Sequence, residues 1–364
     1  MDVFGQPHRT IHYSEVSACV EIIDQTKLPH QFEIVTLKTV ADFCTAIKTM
    51  QVRGAPLVGI TAAYGMAIGL MEDDSPESER HLYQVLMATR PTAINLRWAL
   101  DRVRAHISRM EPGYRGQKAL AFCHQLADDD VAICEAIATN GVTLLRDLSK
   151  DKKGETLNIL THCNAGWLAT VDWGTALAPI YKAHGEGIAV HVWVDETRPR
   201  NQGNLTVWEL SQQGINHTLI ADNTGGLLMQ QGRVDCCIVG SDRTTAGGDV
   251  CNKVGTYLKA LAAKRHDVPF YVALPGSTVD WTIIEGKDIP IEERTADELL
   301  YLEGWSESRH GFEIVRMGVE DGVAYNPAFD ITPAELVTGL ITEHGVYPAN
   351  RNAMEGLKTL VGLL

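Results

Sequence analysis

Five short polar segments hold the residues of this chain that are best suited to chemistry. Each follows an apolar run, and together they are residues 161–166 (THCNAG), 195–202 (DETRPRNQ), 221–224 (ADNT), 240–243 (GSDR) and 275–278 (PGST). The thiol of Cys163 and the carboxyl group of Asp242 can each move a proton. If the apolar runs are parallel strands, their carboxyl ends share one edge of a sheet. The sequence therefore predicts one site at that edge.

Two segments nearer the start of the chain have the residue types of an anion-binding turn. They are Arg53-Gly54-Ala55-Pro56 and Arg90-Pro91-Thr92-Ala93-Ile94-Asn95. In each, an arginine precedes a predicted helix with proline in its first turn. The guanidinium group, the free backbone amides and the helix dipole can then converge on a phosphate group. Taken singly, each segment is also typical of a surface arginine beside a capped helix.

The second half of the chain has a pattern that would hold the five polar turns in one place. Short apolar runs alternate with longer amphipathic segments, which predicts an α/β fold with a Rossmann-like, mostly parallel doubly wound sheet. The predicted strands are residues 157–160, 188–194, 217–221, 234–239 and 270–274. The predicted crossover helices include residues 166–184, 205–213 and 250–265, because parallel strands need such connections.

The first 150 residues predict a separate, mainly helical N-terminal domain after an extended opening, since apolar residues there recur at helical spacing. The charged joint Lys150–Gly154 follows it. We therefore expect an N-terminal helical domain over residues 1–150 and a Rossmann-like catalytic domain over residues 151–364. Near the end, Thr332-Pro333-Ala334-Glu335 has the pattern of a capped helix start. From Pro348 onward no element is assigned.

Composition excludes several classes of protein. Lysine and arginine number 32 against 46 aspartates and glutamates, so the net charge is 32 − 46 = −14, and a generally basic nucleic-acid-binding surface is not expected. Local arginines can still bind a phosphorylated small molecule. None of the eight cysteines forms a C-x-x-C pair, so neither a metal site nor a disulfide is expected. No signal segment or membrane span is predicted either, and we expect a cytoplasmic location.

These motifs resemble the methylthioribose-1-phosphate isomerase family, in the superfamily that includes the regulatory subunits of translation initiation factor 2B. The resemblance spans most of the chain in the family's order. Its phrases are residues 53–56 (RGAP), 90–93 (RPTA), 161–166 (THCNAG), 195–200 (DETRPR) with 202–203 (QG), 242–243 (DR), 248–250 (GDV), 252–253 (NK), 289–294 (IPIEER) and 326–330 (NPAFD).

The resemblance implies an aldose–ketose isomerase that converts 5-methylthioribose 1-phosphate to 5-methylthioribulose 1-phosphate in methionine salvage. Cys163 and Asp242 fall on the family's catalytic cysteine and aspartate. The substrate-binding residues implied by the same motifs are Arg53, Gly54, Ala55, Arg90, Gln202, Asn252 and Lys253. The resemblance implies no metal and no organic cofactor, a small sugar phosphate as the ligand, and a homodimer.

A cysteine and an aspartate suit this reaction because the phosphate on C1 prevents ring opening at a free anomeric hydroxyl. An acid can protonate the ring oxygen while a base removes the proton from C2, which gives an enol phosphate that is reprotonated at C1. We take Asp242 as the acid, in an apolar setting that raises its pKa. We take Cys163 as the base, beside a cation that favours thiolate. The two roles could be exchanged, and a hydride shift would use the same pair as polarising groups.

Simpler interpretations exist for these residue types. A lone cysteine after a strand is commonly a packing residue, which fits Cys236, Cys237 and Cys251. Aspartates such as Asp222 and Asp249 commonly cap helices or form turns. For His162 we favour a structural role over proton transfer.

Three departures from the family's usual phrases concern the substrate. They are Gly247, where asparagine is usual, Cys251, where alanine is usual, and Asn201, where leucine is usual. A 5-deoxyribose 1-phosphate isomerase is therefore a close alternative. A non-catalytic regulatory subunit of the same superfamily is the second alternative. A nucleotide-dependent dehydrogenase is disfavoured because no G-x-G-x-x-G turn follows the first predicted strand.

Overall fold

The computed structural model describes residues 1–152 and 154–361, so Lys153 of the charged joint lies outside the described residues. The N-terminal elements are, in chain order, the strands β1 (Asp2–Val3), β2 (Gln6–Pro7), β3 (Ile11–Ser14), β4 (Cys19–Ile23) and β5 (Ile34–Leu37) and the helices α1 (Val40–Lys48), α2 (Ala55–Glu72), α3 (Pro76–Met87), α4 (Ile94–Ile107) and α5 (Arg115–Asp151). The extended opening forms the antiparallel sheet β3-β4-β5.

Helix α2 is the centre of this helical part. It is apolar nearly all round, from Leu57 to Leu70, and most of its residues are buried. By length and composition alone it could cross a membrane, but its neighbours α4 and α5 pack along it, so it is a core helix. Its first turn contains Pro56 and is preceded by Gly54, as the sequence predicts.

The remaining elements build the sheets of the C-terminal part. They are β6 (Leu157–Thr161), α6 (Ala178–Gly185), β7 (Val190–Asp195), α7 (Gly203–Gln212), β8 (Asn216–Ile220), α8 (Thr224–Gln230), β9 (Cys236–Val239), β10 (Arg243–Thr245), β11 (Val250–Lys253), α9 (Thr256–Arg265), β12 (Phe270–Ala273), β13 (Val279–Asp280), α10 (Asp297–Leu300), β14 (Tyr301–Ser306), β15 (Gly311–Arg316), β16 (Phe329–Thr332), β17 (Gly339–Thr342), β18 (Gly345–Tyr347) and α11 (Arg351–Val361).

The main sheet has seven strands in the order β18-β17-β12-β9-β6-β7-β8, and every neighbouring pair is parallel except β17 with β18. The chain winds from β6 outward through β7 and β8, then returns to the other side of β6 as β9 and continues through β12 to β17. The strand order therefore reverses between β6 and β9. The predicted α/β class with a helical N-terminal part and a mostly parallel sheet is confirmed, and all five predicted strands lie in this sheet.

Several local predictions are wrong. The segment 166–184 is helical only from Ala178, because its first part is a 3₁₀ turn and a loop in which Gly174 packs against Gly166 with a φ of 80°. The segment 250–265 begins as strand β11, and Gly255, with a φ of 107°, separates that strand from α9. Helix α4 begins at Ile94, so Pro91 precedes its first turn.

The end of the chain also differs from the prediction. Thr332 ends strand β16 and caps no α-helix, since only a 3₁₀ turn follows and the Thr332 hydroxyl is buried without a partner within residues 1–152 and 154–361. Helix α11 occupies a stretch where no element was assigned. A second sheet, in the order β13-β10-β11-β16, and the hairpin β14–β15 were not predicted. The strands of the second sheet have two to four residues, and two of them, β10 and β13, adjoin a site turn, so no long run of apolar residues marks them.

Candidate active site

Cys163 and Asp242 lie on the two turns that flank the reversal of strand order. Cys163 comes two residues after β6, and Asp242 comes three residues after β9. In an open α/β sheet the crevice outside the strands' carboxyl ends at this point is the usual ligand site. The two side chains are close enough that ionised Asp242 raises the pKa of the Cys163 thiol. The sequence-derived pair is therefore brought into one site.

The backbone at Cys163 is fixed in an uncommon conformation. Its φ is 67°, in the left-handed region that non-glycine residues rarely adopt. The Cys163 amide donates to Thr197 Oγ1 at 2.8 Å, and its carbonyl oxygen accepts from Thr206 Oγ1 at 2.8 Å. Thr197 belongs to the turn after β7 and Thr206 to α7, so two neighbouring elements hold the thiol in its orientation.

Arg53 reaches this turn from the helical part of the chain. Its Nη2 atom lies 2.8 Å from the carbonyl oxygen of Asn164 and 3.7 Å from Cys163 Sγ, and its Nη1 atom donates to Asn164 Oδ1. Gly54 follows with a φ of 98°, and a Cβ atom there would lie 2.5 Å from Ala169. The arginine turn is therefore packed directly against the cysteine turn.

Asp242 lies in a small, mostly apolar cavity. Its backbone amide donates to the carbonyl oxygen of Cys251 at 2.9 Å, which ties the turn to β11. The cavity is also lined by Ala55, Val58, Arg90, Thr92, Ala93, Ile94, Arg243, Cys251, Ile289, Pro290 and Phe329. Burial raises the pKa of the Asp242 carboxyl, while Arg90, Arg53 and Lys253 oppose that rise. The raised direction is the one that we expected for an acid.

The thiol behaves differently from the sequence-derived hypothesis. A cation stands beside Cys163, as expected, and both Arg53 and Lys253 lower the pKa of the thiol. Burial is the larger influence, however, and the net pKa is raised. The protein without substrate therefore favours the neutral thiol over the thiolate.

The two neighbouring residues on β11 are buried beside this pair. The Nδ2 atom of Asn252 donates to Thr256 Oγ1 at 3.0 Å. Burial lowers the pKa of the Lys253 ammonium, and the charges of Cys163 and Asp242 partly reverse that effect. Lys253 thus adds a third cationic side chain, after Arg53 and Arg90, around one carboxyl group and one thiol.

Gln202 lies on a wider groove that opens beside Arg53. This groove runs between the loop after β4 and the hairpin β14–β15. Its walls include Gln25, Leu28, Met50, Arg53, Asn201, Gln202, Leu205, Glu298, Leu302, Phe312 and Ile314. Gln202 precedes the first turn of α7, and its Oε1 atom is buried without a donor in the part of the chain that the structure describes. Of the sequence-derived binding residues, Ala55 and Arg90 line the small cavity and Arg53 and Gln202 line this groove, whereas Gly54, Asn252 and Lys253 line neither.

One cluster, formed by His162, Asp195 and Asp222, has the residue types of a metal site. Most of its ligand atoms are already engaged, although Asp195 Oδ1 is buried and has no partner among the described residues. His162 bonds Asp195 at 2.9 Å and the carbonyl oxygen of Val254 at 2.9 Å, and the ammonium of Lys259 lies 3.2 Å from Asp195. The Asp222 carboxylate accepts two backbone amides. The cluster is therefore a hydrogen-bonded ionic network, and this fits the structural role that we favoured for His162.

Sequence reasoning gave no role to several residues that the structure places in the site. Thr197 holds the Cys163 amide, Asn164 binds Arg53, and Glu292 binds Arg90. Their motifs were visible in the sequence, but the partners are distant along the chain. Spacing alone does not show which turns meet.

Comparison with known proteins places this geometry in a family. The model of the initiation factor 2 subunit family matches residues 51–349. A protein of Brucella anthropi named methylthioribose-1-phosphate isomerase is 55% identical over 363 residues, covering 99% of each chain. The chain belongs to the initiation factor 2 subunit family. A member of that name from Escherichia coli O45:K1 is 55% identical over 355 residues, covering 97% of this chain and 95% of its own.

Two solved structures of initiation factor 2 subunit family members have the same fold as this chain. The 5-methylthioribose 1-phosphate isomerase of Pyrococcus horikoshii OT3 has a TM-score of 0.83 and 37% identity, covering 98% of this chain and 97% of its own. The delta subunit of translation initiation factor eIF-2B from A. fulgidus has a TM-score of 0.76 and 38% identity, covering 96% and 100%. The family thus includes proteins with enzyme names and proteins with translation-factor names, so the site must decide the function.

Proposed function

We propose that this protein converts 5-methylthioribose 1-phosphate to 5-methylthioribulose 1-phosphate, an aldose–ketose isomerisation. The main support for this proposal is that Cys163 and Asp242 lie in one site where the strand order reverses. Three cationic side chains lie beside them, those of Arg53, Arg90 and Lys253. The pair can transfer protons, and the three cations complement a phosphate ester. The curated relatives that carry the isomerase name match along nearly the whole chain and support the same reaction.

The reaction needs four proton transfers, two from the substrate and two to it, and no redox partner. Removal of the C2 proton and protonation of the ring oxygen break the bond between C1 and the ring oxygen, which leaves an enol phosphate. A proton then adds to C1 while the C2 hydroxyl becomes the ketone. Cys163 and Asp242 share these transfers, and the Asp242 carboxyl lies in a cavity with largely apolar walls, where water cannot protonate the intermediate indiscriminately.

The binding residues divide between the two sides of the pair. We assign the phosphate to Arg53 and Arg90, with the free amides at Gly54 and Ala55 at the start of α2. Gln202 lies in the groove, and Asn252 and Lys253 lie on β11, where they can contact the sugar hydroxyls. No step of this scheme uses a metal or a cofactor.

The direct test is turnover by the purified protein without added metal, followed by appearance of the ketose. Cys163→Ala and Asp242→Asn are each expected to lose about 10²- to 10⁴-fold in kcat, the usual contribution of acid–base catalysis. Cys236→Ala, a buried cysteine on β9, is the matched control and should retain activity. Full turnover by both site variants would refute the mechanism.

Substrate preference is tested in the same assay. Cys251 replaces the usual alanine in the wall of the Asp242 cavity, which motivates 5-deoxyribose 1-phosphate as the comparison substrate. We expect the higher kcat/KM with 5-methylthioribose 1-phosphate. A regulatory subunit without catalysis would bind a partner protein and turn over neither sugar.

We further propose a cytoplasmic homodimer that works in methionine salvage. Its interface would use the exposed apolar side chains of α8 and α9, among them Leu227, Tyr257, Leu258 and Leu261. Sedimentation of the wild type and of Leu258→Glu tests the homodimer, because a charge on this face should dissociate it.

A further inference from the structure

A chain of alternating charges connects the two sides of the site. Arg90 Nη2 lies 3.0 Å from Glu292 Oε2, and Arg294 Nη1 lies 3.0 Å from Glu292 Oε1. Arg294 Nη2 then lies 2.6 Å from Glu298 Oε1, and Arg200 Nη1 lies 3.0 Å from the same oxygen. The chain begins at the turn before α4 and ends two residues before Gln202.

These pairs are not ordinary surface salt bridges. The side chains of Arg90 and Glu292 are 15% and 20% exposed, and those of Arg294 and Glu298 are 18% and 10% exposed. Pairs that are shielded in this way are screened less by salt, and loss of one partner leaves the other charge uncompensated. Asn326 also donates to Glu298 Oε2 at 3.1 Å, so the carboxylate has further support.

The Arg90 guanidinium group is only partly engaged by its hydrogen bond to Glu292. Glu292 Oε2 accepts from the Arg90 Nη2 atom, while the Arg90 Nε atom is buried and has no acceptor among the described residues. The Arg90 side chain also lines the cavity that contains Asp242. A guanidinium group that is fixed by one carboxylate can direct its remaining donors at an anionic ligand.

We infer that Glu292 is a positioning residue, which holds the Arg90 guanidinium in the cavity wall and offsets part of its charge beside Asp242. Glu292 contacts no reacting atom in this scheme and acts through Arg90. The inference rests on the proposed function, because it concerns the acid–base pair of that reaction. It gives a role to the motif Ile289-Pro290-Ile291-Glu292-Glu293-Arg294, which the assignment of catalytic and binding residues leaves unused.

The charge of Glu292 also affects the ionisation of Asp242. Arg90 is the cation that most lowers the pKa of its carboxyl, followed by Arg53 and Lys253, whereas Glu292 raises that pKa. Removal of the Glu292 charge therefore favours ionised Asp242. The pKa of the Asp242 carboxyl should fall, and the acid side of the pH–rate profile should move to lower pH.

Glu292→Gln and Glu293→Gln are a matched pair for the test. Both remove one negative charge from the same segment, but the Glu293 side chain is exposed. We expect Glu292→Gln to lose about tenfold or more in kcat/KM at the wild-type optimum, which is typical of a lost hydrogen bond to a charged group. We also expect the acid limb of kcat/KM to move by about half a pH unit or more toward lower pH. Glu293→Gln should change neither value.

Each outcome has a defined meaning. If wild type turns over the substrate and the two variants have the same profile and the same kcat/KM, the inference is overturned while the proposed function stands. Absence of wild-type turnover overturns the proposed function and the inference with it. If Glu292→Gln does not fold, Glu292→Asp replaces it, because its carboxylate is withdrawn from Arg90 by one methylene group. It should then lose several-fold more kcat/KM than Glu293→Asp, and equal values would overturn the inference.

Discussion

Replacement of Glu209 by glutamine should remove a pH dependence of stability that originates under the Cys163 turn. Glu209 lies on α7 and is fully buried. Its Oε1 atom accepts from the Leu168 amide at 2.6 Å, and its Oε2 atom accepts from the Tyr181 hydroxyl at 3.0 Å. Burial raises the pKa of this carboxyl to about 7. In glutamine the amide oxygen can accept from Leu168 and the amide nitrogen can donate to the Tyr181 hydroxyl, so the substitution mainly removes the ionisable group.

The size of the expected change in unfolding free energy follows from the shift in the pKa of Glu209. A pKa raised from 4.5 to about 7 corresponds to about 3 kcal/mol in favour of the folded, protonated form. Because the pKa is raised on folding, this stabilisation is fully present below about pH 4.5 and is lost as the pH rises to about 7. About 2 kcal/mol of it remains at pH 5.5. Relative to Glu209→Gln, the wild type should therefore lose about 2 kcal/mol of unfolding free energy between pH 5.5 and pH 8.

The assay is urea unfolding of wild type and variant at several pH values in that range. Glu135→Gln, at an exposed position on α5, is the control and should give a difference that does not vary with pH. A constant difference between wild type and Glu209→Gln would refute the reasoning. It would mean that the carboxylate is ionised in the folded protein throughout the range.

The other predictions concern activity and the arginine turn. The kcat/KM profile should be bell-shaped, with an acid limb above the ordinary carboxyl range and an alkaline limb above the ordinary thiol range, because burial raises the pKa of both Asp242 and Cys163; an acid limb within the ordinary carboxyl range or an alkaline limb within the ordinary thiol range would contradict this. Gly54→Ala should destabilise the protein by about 2 kcal/mol or more, because Gly54 has a positive φ and an added Cβ atom would collide with Ala169. The substitution should also raise KM. Thermal unfolding checks the stability, and steady-state kinetics check the KM. Cys163→Ser should keep at least about tenfold more kcat than Cys163→Ala, since its hydroxyl can still donate a proton; equally low values in steady-state kinetics would show that the thiolate is essential.

The seven-stranded sheet was predictable because its parallel strands appear in the sequence as short apolar runs. Runs such as Phe270 to Leu274 are short, apolar and followed at once by polar turns. The strands of the second sheet and of the hairpin β14–β15 do not appear as such runs. The hairpin is largely exposed, with Ile314 70% and Val315 53% exposed, so no buried face imposes a period on its sequence. The short strands β10 and β11 lie within and beside the site motifs, where polar residues dominate.

The site was predictable where a single turn contains a side chain that can transfer a proton, as the turns with Cys163 and Asp242 do. The edge rule for parallel strands brought Cys163 and Asp242 together without any knowledge of the helical part. It could not bring Arg53 or Arg90 to them, because those contacts join segments more than a hundred residues apart. The resemblance supplied them instead. The direction of the thiol pKa was missed for another reason: a neighbouring cation is readable from a motif, whereas the depth of burial depends on the packing of the whole domain.

The coupled titration of Cys163 and Asp242 bears on which residue is the acid. The ordinary pKa values are 9.0 for the thiol and 3.8 for the carboxyl, a gap of about five units, and burial raises both. Arg90, Arg53 and Lys253 all oppose the rise at Asp242, and Arg53 and Lys253 also oppose the rise at Cys163. Because the ordinary gap is wide and burial raises both pKa values, we expect the carboxyl to lose its proton first. When the pair holds one proton, the prevailing form is then a carboxylate beside a thiol, with Asp242 as base and Cys163 as acid. The form with a neutral carboxyl and a thiolate contains the same proton and gives the same pH profile. The profile therefore reports the pair, and the serine variant, which can donate a proton but supplies no thiolate, distinguishes the roles.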